Sequence, residues 1–134
     1  MRILVCGDRN WTDCKSIENR LKLLPKDTII IHGACRGADK IAGLEAKKLG
    51  FEVLEFPAEW EKYGKGAGPI RNQKMLDEGK PDVVIAFHQD IENSKGTKDM
   101  VERAEKVGIK VEIIRNKGTT REFSVYNILN IKKE

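Results

Sequence analysis

Five short apolar runs, separated by longer amphipathic stretches, constrain the fold of this chain more than any other feature of its sequence. Each run is rich in Val, Ile or other apolar residues, which is typical of strands that are buried on both faces of a parallel sheet. The runs cover residues 3–6, 28–32, 52–56, 82–87 and 110–114. The sequence therefore predicts a sheet of about five strands.

Three of the intervening stretches repeat apolar residues at helical spacing. One helical face is formed by Cys14, Ile17, Leu21 and Leu24, a second by Ala38, Ile41, Ala42, Ala46 and Leu49, and a third by Met100, Val101, Ala104 and Val107. Pro25, Gly50 and Gly108 follow these faces, and such residues end helices. Strand and helix thus alternate. This alternation predicts an α/β protein with a doubly wound parallel sheet, whose ligand crevice lies beyond the carboxyl ends of the strands.

Two segments do not follow this alternation. Residues 57–68 contain Trp60, Tyr63 and three glycines, which predicts a long loop whose aromatic rings either stack on a base or pack in the ordinary way. Residues 117–134 predict a docked or partner-binding extension, because they carry Phe123, Val125, Tyr126, Ile128 and Leu129. We therefore expect one domain over residues 1–116 and a C-terminal extension whose apolar residues are covered by the same chain or by a homo-oligomer.

Composition narrows the class of protein further. The chain has 134 residues, 40% of them apolar, which is enough for a core without disulfides. It contains no run of roughly 20 apolar residues and no signal peptide, so we expect a cytoplasmic protein without a membrane partner. The three cysteines lack C-x-x-C spacing and are expected to be reduced. A net charge of +4 suits small anionic ligands but is weak for a nucleic-acid partner, which we do not expect.

The segment that follows the second predicted strand reads HGACRGAD, residues 32–39, and it leads into a helix. Glycines at such a turn let backbone N–H groups approach an anion, and the helix directs its positive dipole end toward it. The segment is either a phosphate cradle or a tight turn, made by Gly33 and Gly37, in which Asp39 caps or charges the helix. It is neither a P-loop nor a dinucleotide fingerprint, because G-K-[ST] and G-x-G-x-x-G are absent.

Two further loops are expected at the same edge of the sheet. Gly96 and Thr97 begin a helix after the fourth strand, where N–H groups and a hydroxyl suit an anion, although helix capping by Ser94 or Thr97 is the alternative. The loop after the first strand begins with Gly7, and its next residues Asp8 and Arg9 suit ribose hydroxyls and phosphate, respectively. In the same loop Thr12 or Asp13 is expected to cap the helix, and Trp11 to pack on the core.

A further candidate is Arg71, which Asn72 follows. Pro69 fits the first position of a helix, and Arg71 and Met75 then share one helical face. An arginine so early in a helix is poorly placed for the helix dipole, so its partner is expected to be an anionic ligand or a buried carboxylate. The candidate ligand-binding residues are, in chain order, Gly7, Asp8, Arg9, Gly33, Arg36, Gly37, Asp39, Arg71, Asn72, Gly96 and Thr97.

Neither a metal site nor a resident cofactor is predicted. His32 and His88 each follow a strand, but neither has a second histidine or a cysteine at ligand spacing.

Four segments of the chain, in this order, carry a family resemblance: ILVCGDRNWTD, IIIHGACRGADKIA, FPAEWEKYGKGAGPIRNQKML and VVIAFHQDIENSKGTKDMVERAEKVGIKV. Together they resemble the YspA, cpYpsA-related branch of the SLOG superfamily. The resemblance implies a Rossmann-like fold and a nucleotide-type ligand. It also implies that Gly33, Gly37, Gly96 and Thr97 hold phosphate, and that Arg71 matches the arginine ahead of the active-site helix in LOG-type phosphoribohydrolases.

The LOG pattern PGGxGTxxE is only half present. Ser94 and Lys95 replace its leading portion, and Met100 stands where the final glutamate would be. Glycosidic cleavage needs a carboxylate, which methionine does not supply. We therefore predict a protein that senses, sequesters or carries a nucleotide derivative. The alternative is an N-glycosidase that uses Arg71 together with Asp39 or Asp99, so whether the chain is an enzyme stays open.

Overall fold

The computed structural model describes residues 1–115. These residues form one parallel sheet of five strands in the order β3-β2-β1-β4-β5. The strands are β1 (Arg2–Gly7), β2 (Ile29–His32), β3 (Glu52–Glu55), β4 (Val83–Phe87) and β5 (Lys110–Ile114). The predicted Rossmann-like α/β fold is thereby confirmed. The predicted extension over residues 117–134, with its apolar residues, lies outside the described residues.

The described residues also form five α-helices, and short irregular turns join some of them. They are α1 (Cys14–Leu21), α2 (Ala38–Lys48), α3 (Trp60–Tyr63), α4 (Ala67–Lys74) and α5 (Gly96–Lys106). A 3-10 turn over Gly64–Gly66 joins α3 to α4, a π-helical turn over Met75–Gly79 continues α4, and another 3-10 turn over Ile91–Asn93 precedes α5. Within the described residues, no helix is long and apolar enough to cross a membrane.

The sheet separates the core into two halves, and the central strand β1 contributes side chains to both. Ile3 and Val5 pack with α1 and α2 on one face of the sheet, whereas Leu4 and Cys6 pack on the other face with Met75 and α5. This split follows from the two-residue period of a strand, whose successive side chains point to opposite faces. Both faces are covered, as parallel sheets require.

The order of the strands fixes where a ligand can bind. The chain runs outward from β1 to β2 and β3, and it then returns to β4 on the other side of β1. The loops after β1 and β4 therefore leave the sheet in opposite directions and open a crevice between them. The crevice lies at the carboxyl edge, as the sequence predicted.

The structure corrects several local predictions. The edge strand β3 is not buried on both faces, since Glu52 and Glu55 are exposed. The stretch of residues 57–68 is not one long loop, because it contains α3 and the following 3-10 turn. Cys14 and Val107 are exposed, although each was assigned to a buried helical face. The strand β3 lies at the edge of the sheet, and Cys14 and Val107 lie at the ends of helices, so their side chains reach solvent. Local periodicity does not encode either position.

The loop after β1 packs as predicted. Trp11 is buried, its ring meets that of Phe87 edge to face with centroids 5.7 Å apart, and its Nε1 donates to the carbonyl of Asp13 at 3.0 Å. The carboxylate of Asp13 accepts a hydrogen bond from the N–H of Ser16 at 3.2 Å and so caps α1.

Candidate functional site

A cleft of about 390 Å³ opens at the carboxyl ends of β1 and β4, where the switch in strand order places it. Its walls come from the loops after β1 and β2, from α4, and from the start of α5. Nine of the candidate residues line it: Gly7, Asp8, Arg9, Arg36, Asp39, Arg71, Asn72, Gly96 and Thr97. The fold thus gathers residues from four distant segments at one site.

The charged side chains that line the cleft are mostly basic. Arg9, Arg36, Arg71 and Lys95 contribute positive charge, whereas Asp8 and Asp39 contribute the carboxylates. The first turn of α5 adds backbone N–H groups that have no acceptor within their own helix, together with the positive end of the helix dipole. Such a lining is suited to an anion.

Arg71 lies at the centre of this arrangement, with 8% of its surface exposed. Its Nε donates to Asn72 Oδ1 at 2.9 Å, its Nη1 to the carbonyl of Gly33 at 2.6 Å, and its Nη2 lies 3.6 Å from the sulfur of Cys35. None of the ion pairs formed within residues 1–115 involves it. A buried carboxylate, one of its two expected partners, therefore forms no direct ion pair with Arg71, although Asp39 is near enough to interact with it electrostatically.

The predicted start of α4 was wrong, although Arg71 and Met75 do share its buried face. The helix begins at Ala67 rather than Pro69, so Arg71 lies more than one turn inside it. The argument from the helix dipole consequently does not apply to Arg71. The argument for an anionic partner depends instead on the burial of Arg71 and on the side chains around it.

The segment after β2 uses most of its N–H groups within the protein. Asp39 Oδ2 accepts from the N–H of Gly33 at 3.1 Å and of Cys35 at 3.2 Å. His32 Nδ1 accepts from the N–H of Ala34 at 2.9 Å, and the N–H of Ala38 donates to the carbonyl of Asp8 at 3.1 Å. These N–H groups have acceptors already, so the segment has the internal bonding of a tight turn.

The two glycines of this segment do not line the cleft, and close packing explains both. A Cβ on Gly33 would lie 2.5 Å from Arg71 Nη1, so the glycine makes room for the guanidinium. Gly37 has a φ of +78°, and a Cβ there would overlap the carbonyl oxygens of Asp8 and Arg9. Gly37 thus lets the loops after β1 and β2 pack directly on each other.

Asp39 is a buried carboxyl that lines the cleft. Burial raises the pKa of Asp39 to about 6, against the opposing effects of the N–H bonds from Cys35 and Gly33 and of the nearby Arg71. Only its Oδ2 accepts hydrogen bonds from residues 1–115. Its Oδ1 keeps the capacity to accept a proton or a hydrogen bond from a ligand.

Asp99, the other carboxylate considered for catalysis, does not line the cleft. Its Oδ2 accepts from Asn72 Nδ2 at 2.9 Å and from Arg103 Nε at 2.8 Å. Asn72 also donates to the carbonyl of Gly96 at 3.3 Å, so it links α4 to the start of α5. The contacts of Asp99 are therefore those of a residue that positions α4 and α5.

The start of α5 combines capping with access to the cleft. Ser94 Oγ accepts from the N–H of Lys98 at 3.0 Å and donates to the carbonyl of Ile91 at 2.9 Å, so Ser94 bonds the first turn of α5 from the position before the N-cap residue, Lys95. Gly96 and Thr97, the first residues of the helix, line the cleft. Ser94 can therefore bond the first turn of α5 while Gly96 and Thr97 line the cleft.

The sequence analysis considered His88 only as a metal ligand and did not include it among the ligand-binding candidates, but His88 lines the cleft directly after β4. Its Nδ1 accepts from the N–H of Asp90 at 3.0 Å, and burial lowers the pKa of His88 despite the nearby carboxylates of Asp8 and Asp90. Its position at the carboxyl end of a central strand was the available signal. Among the described residues, no group of three or more His, Cys, Asp and Glu side chains could hold a metal ion.

The fold and the cleft define a Rossmann-like α/β protein with a basic crevice at the switch in strand order. A sequence profile of the YspA, cpYpsA-related SLOG family matches residues 1–63. The Gene 61 protein of Mycobacterium phage D29 is 36% identical over 119 residues, which cover 82% of this chain and 93% of that protein. The chain belongs to the YspA, cpYpsA-related SLOG family.

A solved structure has the same fold. The X-ray structure of DNA processing protein A (DprA) from Streptococcus pneumoniae matches 98% of this chain with a TM-score of 0.73 and 19% sequence identity. The chain spans 56% of the length of that structure. At this level of identity the likeness concerns the fold alone.

Proposed function

We propose that this protein binds a phosphate-bearing nucleotide or nucleoside derivative in the cleft, and that Arg71 contacts the phosphate. The observation that carries the proposal is the buried guanidinium of Arg71, which forms no ion pair within residues 1–115 and whose Nη2 has only a cysteine sulfur beside it. A buried charge without a direct ion pair is costly, and the nearby carboxyl of Asp39 does not form one with Arg71. A phosphate would supply a direct ionic partner and match the planar geometry of the guanidinium.

The surrounding groups support the same ligand. Arg9, Arg36 and Lys95 line the cleft and would share the charge of a phosphate, and the first N–H groups of α5 would donate to it. Asp8 would accept hydrogen bonds from ribose hydroxyls. In this proposal Gly33 and Gly37 act indirectly, because they allow Arg71 and the loop after β1 to reach their positions.

An N-glycosidase is the second candidate, and Asp39 favours it. A carboxyl with a pKa of about 6 in a cleft can exchange a proton near neutral pH. Asp99 is less suited to that role because Asn72 and Arg103 hold it outside the cleft. Met100 does line the cleft, so no carboxylate takes the place of the glutamate of the LOG pattern.

The test is to incubate the protein with AMP, GMP, CMP, UMP, NAD and ADP-ribose, and to score retained compound and released base by mass spectrometry. Calorimetry then measures affinity for each retained compound. We expect at least one compound to be retained intact and Arg71→Gln to weaken its binding at least tenfold, because a hydrogen bond to a charged group contributes about 1.5–3 kcal/mol. Binding that survives Arg71→Gln unchanged contradicts the proposal.

Two controls separate folding from binding. Arg20→Gln removes a partly buried arginine that pairs with Glu112 at 2.6 Å outside the cleft, and it should leave affinity unchanged. Arg36→Gln removes an exposed arginine that lines the cleft, so it tests the site without disturbing the core. Release of free base by the wild type but not by Asp39→Asn would select the N-glycosidase.

A further inference from the structure

A second cavity, of about 550 Å³, borders the cleft. It shares its inner wall with the cleft, and its outer wall comes from the segment between β3 and α3. The residues that line both cavities are Arg9, Cys35, Arg36 and Arg71. The side chains that would hold a phosphate in the cleft are therefore also accessible from the second cavity.

Trp60 lies on the outer wall of this second cavity. Half of its surface, 50%, is exposed, although it is one of the largest apolar side chains in the protein. Its Cη2 is 3.6 Å from where a Cβ on Gly68 would be, so the ring edge rests over the backbone at the start of α4. One edge of the indole thus packs on the backbone of α4, while half of the side chain stays accessible. Aromatic side chains that stack on a base combine packing and access in the same way.

We infer that the ligand spans both cavities and consists of two nucleosides joined through phosphate. The phosphate bridge lies at Arg9, Arg36 and Arg71, one nucleoside occupies the cleft, and the base of the other stacks on Trp60. The inference rests on the proposed function, since it extends the same ligand across the same arginines. Each cavity falls within the range of roughly 300–1,000 Å³ that is usual for small-molecule sites, so neither nucleoside is excluded by size.

Charge favours the cavity at Trp60 over another cavity that borders Arg71. That cavity, of about 230 Å³, is lined by Tyr63, by the carboxylates of Glu55, Glu59 and Glu78, and by the cations Arg71 and Lys74. Its carboxylates outnumber its cations, whereas the cavity at Trp60 is lined by three arginines and no carboxylate, so a phosphodiester or pyrophosphate is favoured at Trp60. The second nucleoside therefore lies toward Trp60, and Tyr63, an exposed aromatic residue on the same helix, provides a matched control.

The experiment compares mononucleotides with two-nucleoside probes on the full chain. Calorimetry measures the affinities of AMP, GMP, CMP and UMP, of NAD, and of the 5′-phosphorylated homodinucleotides of the same bases. The same titrations are repeated with Trp60→Ala, Trp60→Phe and Tyr63→Ala. Circular dichroism confirms that each variant is folded, which is expected because neither side chain is buried in the core.

We expect a two-nucleoside probe to bind the wild type at least about tenfold more tightly than its matching monophosphate, which is the size of effect that base stacking on an aromatic ring produces. Trp60→Ala should remove this advantage and leave the affinity of the monophosphate unchanged. Trp60→Phe should retain most of it, and Tyr63→Ala all of it. Preference for NAD or for the homodinucleotides then identifies whether the bridge is a pyrophosphate or the phosphodiester of a nucleic-acid strand.

Three outcomes would overturn the inference. If monophosphates bind and two-nucleoside probes bind no better, the second nucleoside has no site and the proposed function is untouched. If Trp60→Ala weakens monophosphates and two-nucleoside probes equally, Trp60 supports the fold rather than a second base. If the wild type binds no probe, the proposed function fails and the inference fails with it.

Discussion

The guanidinium of Arg71 donates a hydrogen bond to the carbonyl of Gly33, with the Nη1 and oxygen atoms 2.6 Å apart. The two residues lie on different elements, α4 and the turn after β2, and they are 38 positions apart in the chain. Because a Cβ on Gly33 would lie 2.5 Å from the same Nη1, the contact exists only while residue 33 has no side chain. The position of Arg71 in the cleft thus depends on this glycine.

The first prediction concerns Gly33→Ala. The new methyl group forces Arg71 to move, so affinity for the bound nucleotide should fall at least tenfold and the free energy of unfolding should fall by about 1–3 kcal/mol. Calorimetry and urea denaturation measure the two effects. Gly66→Ala is the control, because its Cβ would meet only Ile70 Cδ1 at 3.8 Å and its φ is −80°. Unchanged affinity in Gly33→Ala would show that Arg71 does not need its present position.

A pair of glycines tests the packing of the loops after β1 and β2. Gly37 and Gly50 have similar φ values, +78° and +88°, but a Cβ on Gly50 would meet nothing within 4 Å. Gly50→Ala should therefore cost only the backbone strain, about 1–2 kcal/mol. Gly37→Ala should cost at least about 1–3 kcal/mol more, because its Cβ overlaps the carbonyls of Asp8 and Arg9. Equal losses in urea denaturation would refute direct contact between the loops.

The third prediction is a pH dependence of stability that comes from Asp39. Burial raises the pKa of Asp39 to about 6 from the ordinary value of 3.8. The folded protein keeps this proton where the unfolded chain has already lost it, so the contribution is present below the lower pKa and is lost as pH rises through the higher one. Relative to Asp39→Asn, the wild type should lose about 2–3 kcal/mol of stability between pH about 4 and about 6.

Urea denaturation across this pH window measures the difference between the two proteins. Asp27→Asn serves as the control, because Asp27 is exposed in the turn before β2 and does not line the cleft. Asp27→Asn keeps Asp39, so it should still show the pH-dependent loss of stability. A constant difference between the wild type and Asp39→Asn would mean that Asp39 does not titrate differently in the folded state.

The three cysteines should differ in reactivity. Cys14 is exposed, Cys35 is partly exposed and lines the cleft, and Cys6 is buried, which raises its pKa. Since the thiolate is the nucleophile, iodoacetamide should modify Cys14 and Cys35 before Cys6, as peptide mass spectrometry would record. A bound nucleotide should protect Cys35 but not Cys14. Equal labelling of all three in urea is the control, and early labelling of Cys6 in the folded protein would contradict its burial.

Local sequence pattern was sufficient for the fold and for the edge of the sheet that carries the cleft. Each strand end was predicted to within one residue, and the spacing of Arg71 and Met75 correctly indicated a shared buried face. Asp8 and Arg9 were assigned to the crevice because they follow a strand that proved to be central. Each of these predictions depends only on residues that are close in the chain, or on the rule that parallel strands end at one edge.

Other features depended on side-chain geometry that strand and helix periods do not encode. They include the turn in which Asp39 accepts the N–H groups of Gly33 and Cys35. The contact between Asp99 and Asn72 joins residues 27 positions apart, so only the tertiary structure shows it. The helix α3 was also missed, because four residues are too few to show a helical period.

The sequence by itself determined the α/β alternation, the family and the polar residues that reach the carboxyl edge, because periodicity and short motifs are properties of neighbouring residues. Only the tertiary structure decided which of those residues face the cleft and which are satisfied inside the protein. The physical reason is that a buried polar group must find its partner wherever the fold brings one within hydrogen-bond distance. For Asp39 that partner lies in its own turn, whereas for Arg71 the direct ionic partner is the ligand that we propose.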